Sequence, residues 1–536
     1  MRIRLIAAGA LAAGALAAPA GAAHAATDHD PAPATAASSW LDRQLGSSSS
    51  DHAGLLPSSY GGANYGASAD AILGLAATGK TGEAAKVATA LSGAVDSYIS
   101  GDASGDPGST YAGSVAKAAE ALRAAGDDPT NVNGENLITR LEGQVQASGR
   151  IQDTSAYGDY ENTLGQAYAA GALTAAGSSD AGKATDFLLT QQCSGGWFRL
   201  SFTAGGSDPN APVGTDESCD ADPTSSPSVD ATAVALLELA PQKSDPAVAA
   251  AIDKATTWLD GRQRAGAWTD GTKTGVPNVN STGLAGWALG ALGDTGRAEK
   301  AAAWVRGRQL ANIATCTPYA TGDLGAIAYD PAAWKKAQTK PVGAKNDQFV
   351  VGTAQAIGVL QWAPGQPDSV GGSGTAPAFV KGGSTQHVTV EGGAPGAPIC
   401  GHTSAADNLV TSVIDGAARV PLKMPTRTGV AYYKVTMSGA SSSGGYDVLG
   451  KASLKPTLSR TSAPKGSRVV VTVKHLANGE HAVVKLRGKK VAAGQANAKG
   501  VFRKTFSVTG KPGRAVVSVV GQFADRAGKA VLRVVR

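Results

Sequence analysis

Aromatic side chains are scarce, at 5% of 536 residues, and all eight Trp fall between Trp40 and Trp362. The last third of the chain has none of these large anchors, so it is built differently from the rest. Histidine is scarcer still: none occurs between His52 and His387. That leaves the Trp-bearing region with His52 alone as a source of the commonest neutral metal ligand. Cysteine is limited to four residues with no C-x-x-C spacing, which argues against a zinc site. After the first 25 residues no apolar run is long enough to span a bilayer. No Leu-Pro-x-Thr-Gly sorting motif stands near the C-terminus. No Ser-His-Asp order, phosphate loop or dinucleotide fingerprint is present. Acids are nearly missing from the end of the chain: residues 451–536 hold 19 Lys and Arg against Glu480 and Asp525 alone. That segment carries +17, and with a total of +6 everything before it sums to −11.

What is abundant is glycine, at 70 residues roughly double the average share. Part of it belongs to a repeated phrase. Lys183-x3-Phe187-Leu188-x3-Gln192-x2-Gly195-x-Trp197 recurs as Lys254-x3-Trp258-Leu259-x3-Gln263-x2-Gly266-x-Trp268. Partial copies are Lys300-x3-Trp304-x4-Gln309 and Leu141-x4-Gln146-x2-Gly149. A fixed internal period marks a repeat architecture. The aromatic and Leu lie near a helix end, and Gln follows about one turn later on the same face. Glycine then ends the helix, because it takes positive φ cheaply. The Trp folds back on the helix just left, and a helix opened by Asp or Asn follows.

These Gln-Gly-Trp turns resemble the QW repeats of squalene and other triterpene cyclases. More broadly they are similar to the α/α toroid shared with protein prenyltransferase β-subunits and cobalamin carriers. The resemblance covers roughly residues 40–365 and implies a fold more than an activity, since one fold hosts many functions. Small-residue helices at 67–79, 113–126, 163–177, 229–240, 281–293 and 348–360 read as an inner ring, packed on both sides. Helices such as 82–97, 180–192 and 247–263 read as an outer one.

The expected fold class is a multidomain α plus β chain: an N-terminal (α/α)6 toroid followed by one or two small Ig-like β-sandwich modules. Residues 1–25 read as a signal peptide, with Arg2 and Arg4, an apolar run, and Ala23-His24-Ala25 for cleavage. Residues 26–39 read as an Ala/Pro linker, 40–365 as the toroid, 366–450 as a Gly/Ser-rich linker with a small β module, and 451–536 as a basic Ig-like β-sandwich. Four cysteines suit an oxidising compartment. Cys193 and Cys219 bracket one loop, which would leave Cys316 with Cys400, although four cysteines allow three connectivities. The expected location is secreted, in association with a cell envelope.

Each well-known chemistry of the resembled fold lacks its residues here. There is no Asp-x-Asp-Asp, no Asp/Cys/His zinc set and no Gly-Cys-Gly-Glu-Gln thioester. No catalytic residue, metal or cofactor is therefore assigned. The loop at 207–223 holds Asp208, Asp216, Glu217, Asp220 and Asp222; without EF-hand spacing it reads as a solvated acidic loop rather than a Ca²⁺ site. Asp70, Asn162, Asp230, Asn280 and Asp347 near inner-helix N-termini read as a polar rim or as helix caps. Gln166, Tyr168 and Trp287 read as cavity-lining. The resulting expectation is an exported binding protein offering a small hydrophobic molecule or a glycan a cavity or rim, with the basic module held to an anionic envelope polymer. The competing readings are a cyclase-like or polysaccharide-acting enzyme using toroid carboxylates, and a purely structural surface protein.

Overall fold

The computed structural model describes residues 29–202, 218–272, 275–343, 346–365, 371–373, 378–412, 417–438 and 440–536. The signal peptide expected at 1–25, and Asp208, Asp216 and Glu217 of the acidic loop, lie outside the described residues. The N-terminal part is helical and the C-terminal part is built of β-sheets.

Six helices line a ring: α2 (Tyr65–Ala77), α5 (Ala112–Ala125), α7 (Thr163–Ala175), α9 (Val229–Leu239), α11 (Val279–Ala291) and α14 (Asp347–Ala356). Each packs on the next, and α14 packs back on α2, which closes the ring. They are Ala- and Gly-rich because each is covered on both flanks and on its outer side. Six further helices lie outside: α1 (Ala32–Gln44), α3 (Thr81–Gly93), α6 (Leu137–Glu142), α8 (Ala181–Thr190), α10 (Pro246–Asp260) and α12 (Thr295–Arg306). Two short helices, α4 (Val95–Ile99) and α13 (Pro331–Ala337), sit in the connections. One continuous core runs from Ala34 to Ala363.

The ends of the helical region close on each other. α1 packs on α14 and on the 3-10 turn that continues it, Ile357–Trp362. Asp30 pairs with Arg306 at 2.7 Å, and the Asp30 N–H donates to Ala363 O at 2.8 Å. The segment 32–39, read from composition as a linker, is therefore the first half of α1. Its alanines are strong helix formers, and Ala34, Ala37 and Trp40 are buried.

The repeat stitches outer helices together. Gln192 Nε2 donates to Gly196 O at 3.0 Å and to Ala251 O of α10 at 2.8 Å. Gln263 Nε2 does the same to Gly266 O at 3.3 Å and to Arg297 O of α12 at 3.1 Å. Gln309 Nε2 reaches Gly325 O at 3.2 Å and Pro33 O of α1 at 2.8 Å, across the closure. Trp268 is buried, and its indole N–H donates to Leu259 O at 2.9 Å, back onto the helix just left.

Equal spacing hides one shift between the two strong copies. The left-handed glycines are Gly196 and Gly266, so Gly195 is not the turn residue. The structural counterpart of Trp268 is then Phe198, not Trp197. Both backbone N–H groups donate to a Thr hydroxyl of the following inner helix, Phe198 to Thr232 at 2.9 Å and Trp268 to Thr282 at 3.0 Å. The first turn is one residue longer than the second.

That contact defines a wider repeat. A positive-φ glycine followed two residues later by a buried apolar residue recurs at Gly54 and Leu56, Gly149 and Ile151, Gly196 and Phe198, Gly266 and Trp268, and Gly325 and Ile327. Each apolar residue's N–H donates to a fully buried polar side chain on the next inner helix: Ser68, Gln166, Thr232, Thr282 or Thr353. A Cβ on Gly149 would come within 1.9 Å of Lys183 O, and one on Gly325 within 2.1 Å of Ala36 O.

The cysteines pair as Cys193–Cys219 and Cys316–Cys400. The second bond joins the helical part to a first β module. There a three-stranded sheet (Gly371–Ser373, Thr385–Glu391, Ala418–Lys423) and a five-stranded sheet (Val380–Lys381, Ala440–Leu449, Gly429–Met437, Pro398–Thr403, Asp407–Thr411) share one core. A second module has its own core. Its smaller sheet is Thr457–Leu458, Arg468–Val473 and Phe502–Ser507. Its larger sheet runs Ser462–Pro464, Arg526–Val535, Gly513–Val520, His481–Leu486, Lys489–Gln495.

Candidate functional site

The centre of the ring holds two cavities. One, of about 410 Å³, opens where α5, α7 and α9 begin, and Ser114, Asn162 and Asp230 line it. The other, of about 260 Å³, lies toward the ends of α2, α5 and α9, at Ala77, Arg123 and Glu238. Asp70, Tyr168, Leu284 and Gln355 line both, so they form the waist of a single lumen.

A polar chain crosses four helices at the waist. Lys117 Nζ on α5 lies 2.5 Å from Asp70 Oδ1 on α2. Gln355 Nε2 on α14 donates to Asp70 Oδ2 at 2.9 Å, and Asn280 Nδ2 on α11 donates to Gln355 Oε1 at 2.6 Å. The Lys117 ammonium also stands 5.6 Å from the centre of the Tyr168 ring. Burial alone would lower the Lys117 pKa, but the Asp70 carboxylate beside it raises it above the ordinary value. The lysine is a fixed cation, neutralised locally. Burial pushes the Tyr168 and Tyr98 hydroxyls up, against the pull of Lys117, so both phenols are neutral donors.

At the mouth, Asp153 and Glu161 face each other. Asp153 accepts from the Ala112 N–H at 2.7 Å and from the Tyr160 N–H at 3.1 Å, and Glu161 accepts from the Gly113 N–H. Burial pushes the Glu161 carboxyl well above the usual range, and the charge of Asp153 and their mutual hydrogen bond push it further. Asp153 is raised by burial, with that same hydrogen bond opposing. The charge of Asp153 thus works against ionisation of Glu161. Deeper in, burial raises the Asp230 carboxyl and the Ser281 hydroxyl opposes it. Asp230 Oδ1 is buried and without a hydrogen-bond partner among the described residues. In the second cavity burial and then Glu120 raise Glu238, while Arg123 opposes. Arg123 itself is held by Glu120.

The face around the mouth is apolar in places. Tyr60, Tyr157, Tyr160, Leu200 and Val276 are the exposed large apolar residues of the helical part among those described. All sit in connections that lead into inner helices, and Tyr160, 54% exposed, also lines the first cavity.

Of the residues singled out from sequence, Asp70, Asn162, Tyr168 and Asp230 line the first cavity and Trp287 the second, while Asn280 belongs to the waist chain. Gln166 and Asp347 line neither. The Gln166 amide is spent on the backbone of Ile151, Gly149 and Ala184, and Asp347 accepts from the Ser59 N–H and hydroxyl. The rim of caps is also redrawn, because only Asn162 of the five caps its helix. The capping side chains are Asn64, Asn162, Ser228 and Asn278. A cap must precede the first helical residue, whereas Asp70 lies more than a turn inside α2. Asp230 and Asn280 are two residues past the capping position and are free to face the lumen.

Sequence reasoning passed over Lys117, Glu120, Glu238, Gln355, Asp153 and Glu161. The first three carried a signal, as charges inside otherwise apolar helices. Asp153 and Glu161 had none, being two polar residues in a polar loop. In the acidic loop, Asp220 accepts from Ser194 and Asp222 pairs with Arg199 at 3.1 Å. Among the described residues no group of three or more His, Cys, Asp or Glu is placed to hold a metal ion, and no helix is long and apolar enough to cross a membrane.

No family model matches the chain, and no curated protein matches it. Among solved structures it is similar to the apo type II terpene cyclase MstE from Scytonema, at 16% identity and a TM-score of 0.39, over 62% of this chain and 97% of that one. It is similar to a wild-type glycosidase at 11% identity and a TM-score of 0.37, over 62% and 96%. The β part is similar to the fibronectin(III)-like modules of Clostridium thermocellum CbhA at 11% identity and a TM-score of 0.20, over 31% and 93%.

Proposed function

We propose that the helical part is an (α/α)6 toroid that receives a carbohydrate in its lumen. The observation that carries this reading is Asp230 Oδ1, a buried acceptor on the cavity wall with no partner among the described residues. A buried polar atom of this kind calls for a donor, and a sugar hydroxyl supplies one. The surroundings suit the same ligand. Aromatic faces stack on the C–H faces of sugar rings, and Tyr160 stands exposed at the mouth. Carboxylates, amides and neutral phenols exchange hydrogen bonds with hydroxyls, and Asp70, Gln355, Asn162 and Tyr98 offer all three. The mixed lining argues against a purely hydrocarbon guest, which would leave Asp230 Oδ1 desolvated and unpaired. The volume lies within the range of ligand pockets, roughly 300–1,000 Å³.

The test is calorimetric titration of neutral, amino and uronic oligosaccharides into the full chain. Asp230→Asn and Tyr160→Ala are each expected to weaken the bound member at least tenfold, about 1.4 kcal/mol. Unchanged affinity in both variants contradicts the reading.

A second reading has an observation of its own. Asp153 and Glu161 line the mouth of the first cavity, where burial favours the protonated form of Glu161, and a positioned carboxylic acid is the equipment of general acid catalysis. In that case Glu161→Gln abolishes turnover of the bound glycan while leaving its affinity in place.

A further inference from the structure

We infer that the outward face of the larger sheet of the terminal module binds a linear polyol-phosphate polymer. Both acids of residues 451–536 are already engaged. Glu480 is buried against Arg526, with both oxygens accepting at 2.7 Å. Asp525 meets Lys381 of the preceding module at 3.3 Å. Among the described residues, no other Lys or Arg of the module forms a salt bridge.

The cations that remain are ordered by strand register. Arg514 stands directly opposite Arg533, and Lys485 directly opposite Lys490. Ser518 pairs with Lys485 on one side and Lys529 on the other. Like charges placed opposite each other across strands repel, so the sheet gains nothing from this pattern. Nor is it edge protection for Lys485, Arg514, Lys529 and Arg533, whose strands lie inside the sheet, since edge charges work on outer strands. Between the cationic rows Val516 and Val531 face each other and are 37% and 44% exposed. They form an apolar floor between anion sites.

Rows on one face of a strand repeat at about 7 Å, and strands at about 4.8 Å. A flexible chain with a phosphate at each repeat unit can lay successive anions on such a grid while its carbon backbone rests on the valines. Arginine forks suit phosphate oxygens. The alternatives lack their equipment. Membrane-surface readers carry Trp and Tyr at the interface, and the module contains neither. Single-strand nucleic-acid binders stack successive bases on aromatic faces, and of the module's three Phe two, Phe502 and Phe506, are buried, leaving Phe523 alone partly exposed.

The experiment uses the full chain and immobilised synthetic poly(glycerol phosphate) at about 0.15 M salt. Lys485→Gln/Arg514→Gln/Arg533→Gln removes three charges from the face. Arg460→Gln/Arg468→Gln/Arg503→Gln removes three exposed charges elsewhere on the module. Thermal midpoints of both triples are measured beside the wild type to establish equal folding. The face triple is expected to lose about tenfold or more in affinity, with a shallower salt dependence, and the other triple less than about threefold. Equal losses would reduce the effect to net charge and overturn the proposal. So would tighter binding by the wild type to a polyuronate, duplex DNA or anionic vesicles than to the polyphosphate.

Discussion

A carboxyl that keeps its proton in the folded protein leaves a mark on stability. Glu161 is raised by burial first and by Asp153 second. Its folded pKa therefore exceeds its unfolded one. The stabilisation is complete below the ordinary carboxylate range and is lost as pH rises through the raised value. Glu161→Gln keeps a side chain able to donate to Asp153 and to accept from Gly113, but it does not titrate. The wild-type thermal midpoint is expected to fall, relative to that variant, as pH rises above the ordinary carboxylate range toward the raised value. Parallel curves would mean that the Glu161 carboxyl is not raised. Asp230→Asn gives a second readout. Removing a buried, partly satisfied carboxyl costs the empty protein little, so its thermal midpoint should hold while ligand affinity falls. Asp70 and Asp230 were legible as polar residues near inner-helix starts, although the capping role that position suggests belongs to Asn64 and Ser228. The Asp153–Glu161 pair was not legible, since both residues sit in one polar loop whose packing against the start of α5 leaves no mark in the sequence.

Between elements, the strength lies in turns that touch the next outer helix. Gly325→Ala places a Cβ against Ala36 O at a positive-φ position. It is expected to cost about 3 kcal/mol. Gly322→Ala, a few residues away with open space around it, should stay within about 0.5 kcal/mol. Gln309→Ala removes two amide bonds, the one to Pro33 crossing the closure, and leaves two acceptors behind, at about 2 kcal/mol. Urea midpoints of the three variants check the order, and equal effects would show that the closure bears no load. The repeat was readable where the chain kept Gln and Gly, so the six inner helices followed from it. The more general form, a glycine two residues before an apolar N–H donor, was hidden. Its partner on the inner helix is variously Ser, Gln or Thr. The identical spacing to Trp197 and Trp268 also pointed to the wrong residue, because an insertion in the first turn put Phe198 in the Trp position. The first half of α1 was missed because Ala/Pro composition looks like a linker until another helix covers it.

For the whole molecule, the helical ring and the β modules meet through a covalent tie. Cys316–Cys400 spans 84 residues of sequence, a constraint worth about 4 kcal/mol in the chain-entropy view. A Cys316→Ser/Cys400→Ser variant is expected to expose the 378–450 region to proteolysis at protease concentrations that leave the ring intact. An unchanged cleavage pattern would show that noncovalent packing holds the module in place. The charge split, +17 against −11, follows the same division: an acid-lined lumen in one part and a cationic sheet in another. That division was plain in the sequence, but the location of the cations on one flat face required strand register.

The central claim is that the lumen is a polar receptor and not a hydrocarbon pocket. Native mass spectrometry of the full chain, purified without denaturation and followed by release of whatever it carries, tests this most directly. The account predicts an oxygen-rich, carbohydrate-like mass that Asp230→Asn loses. An oxygen-poor hydrocarbon mass, retained by Asp230→Asn, would contradict it.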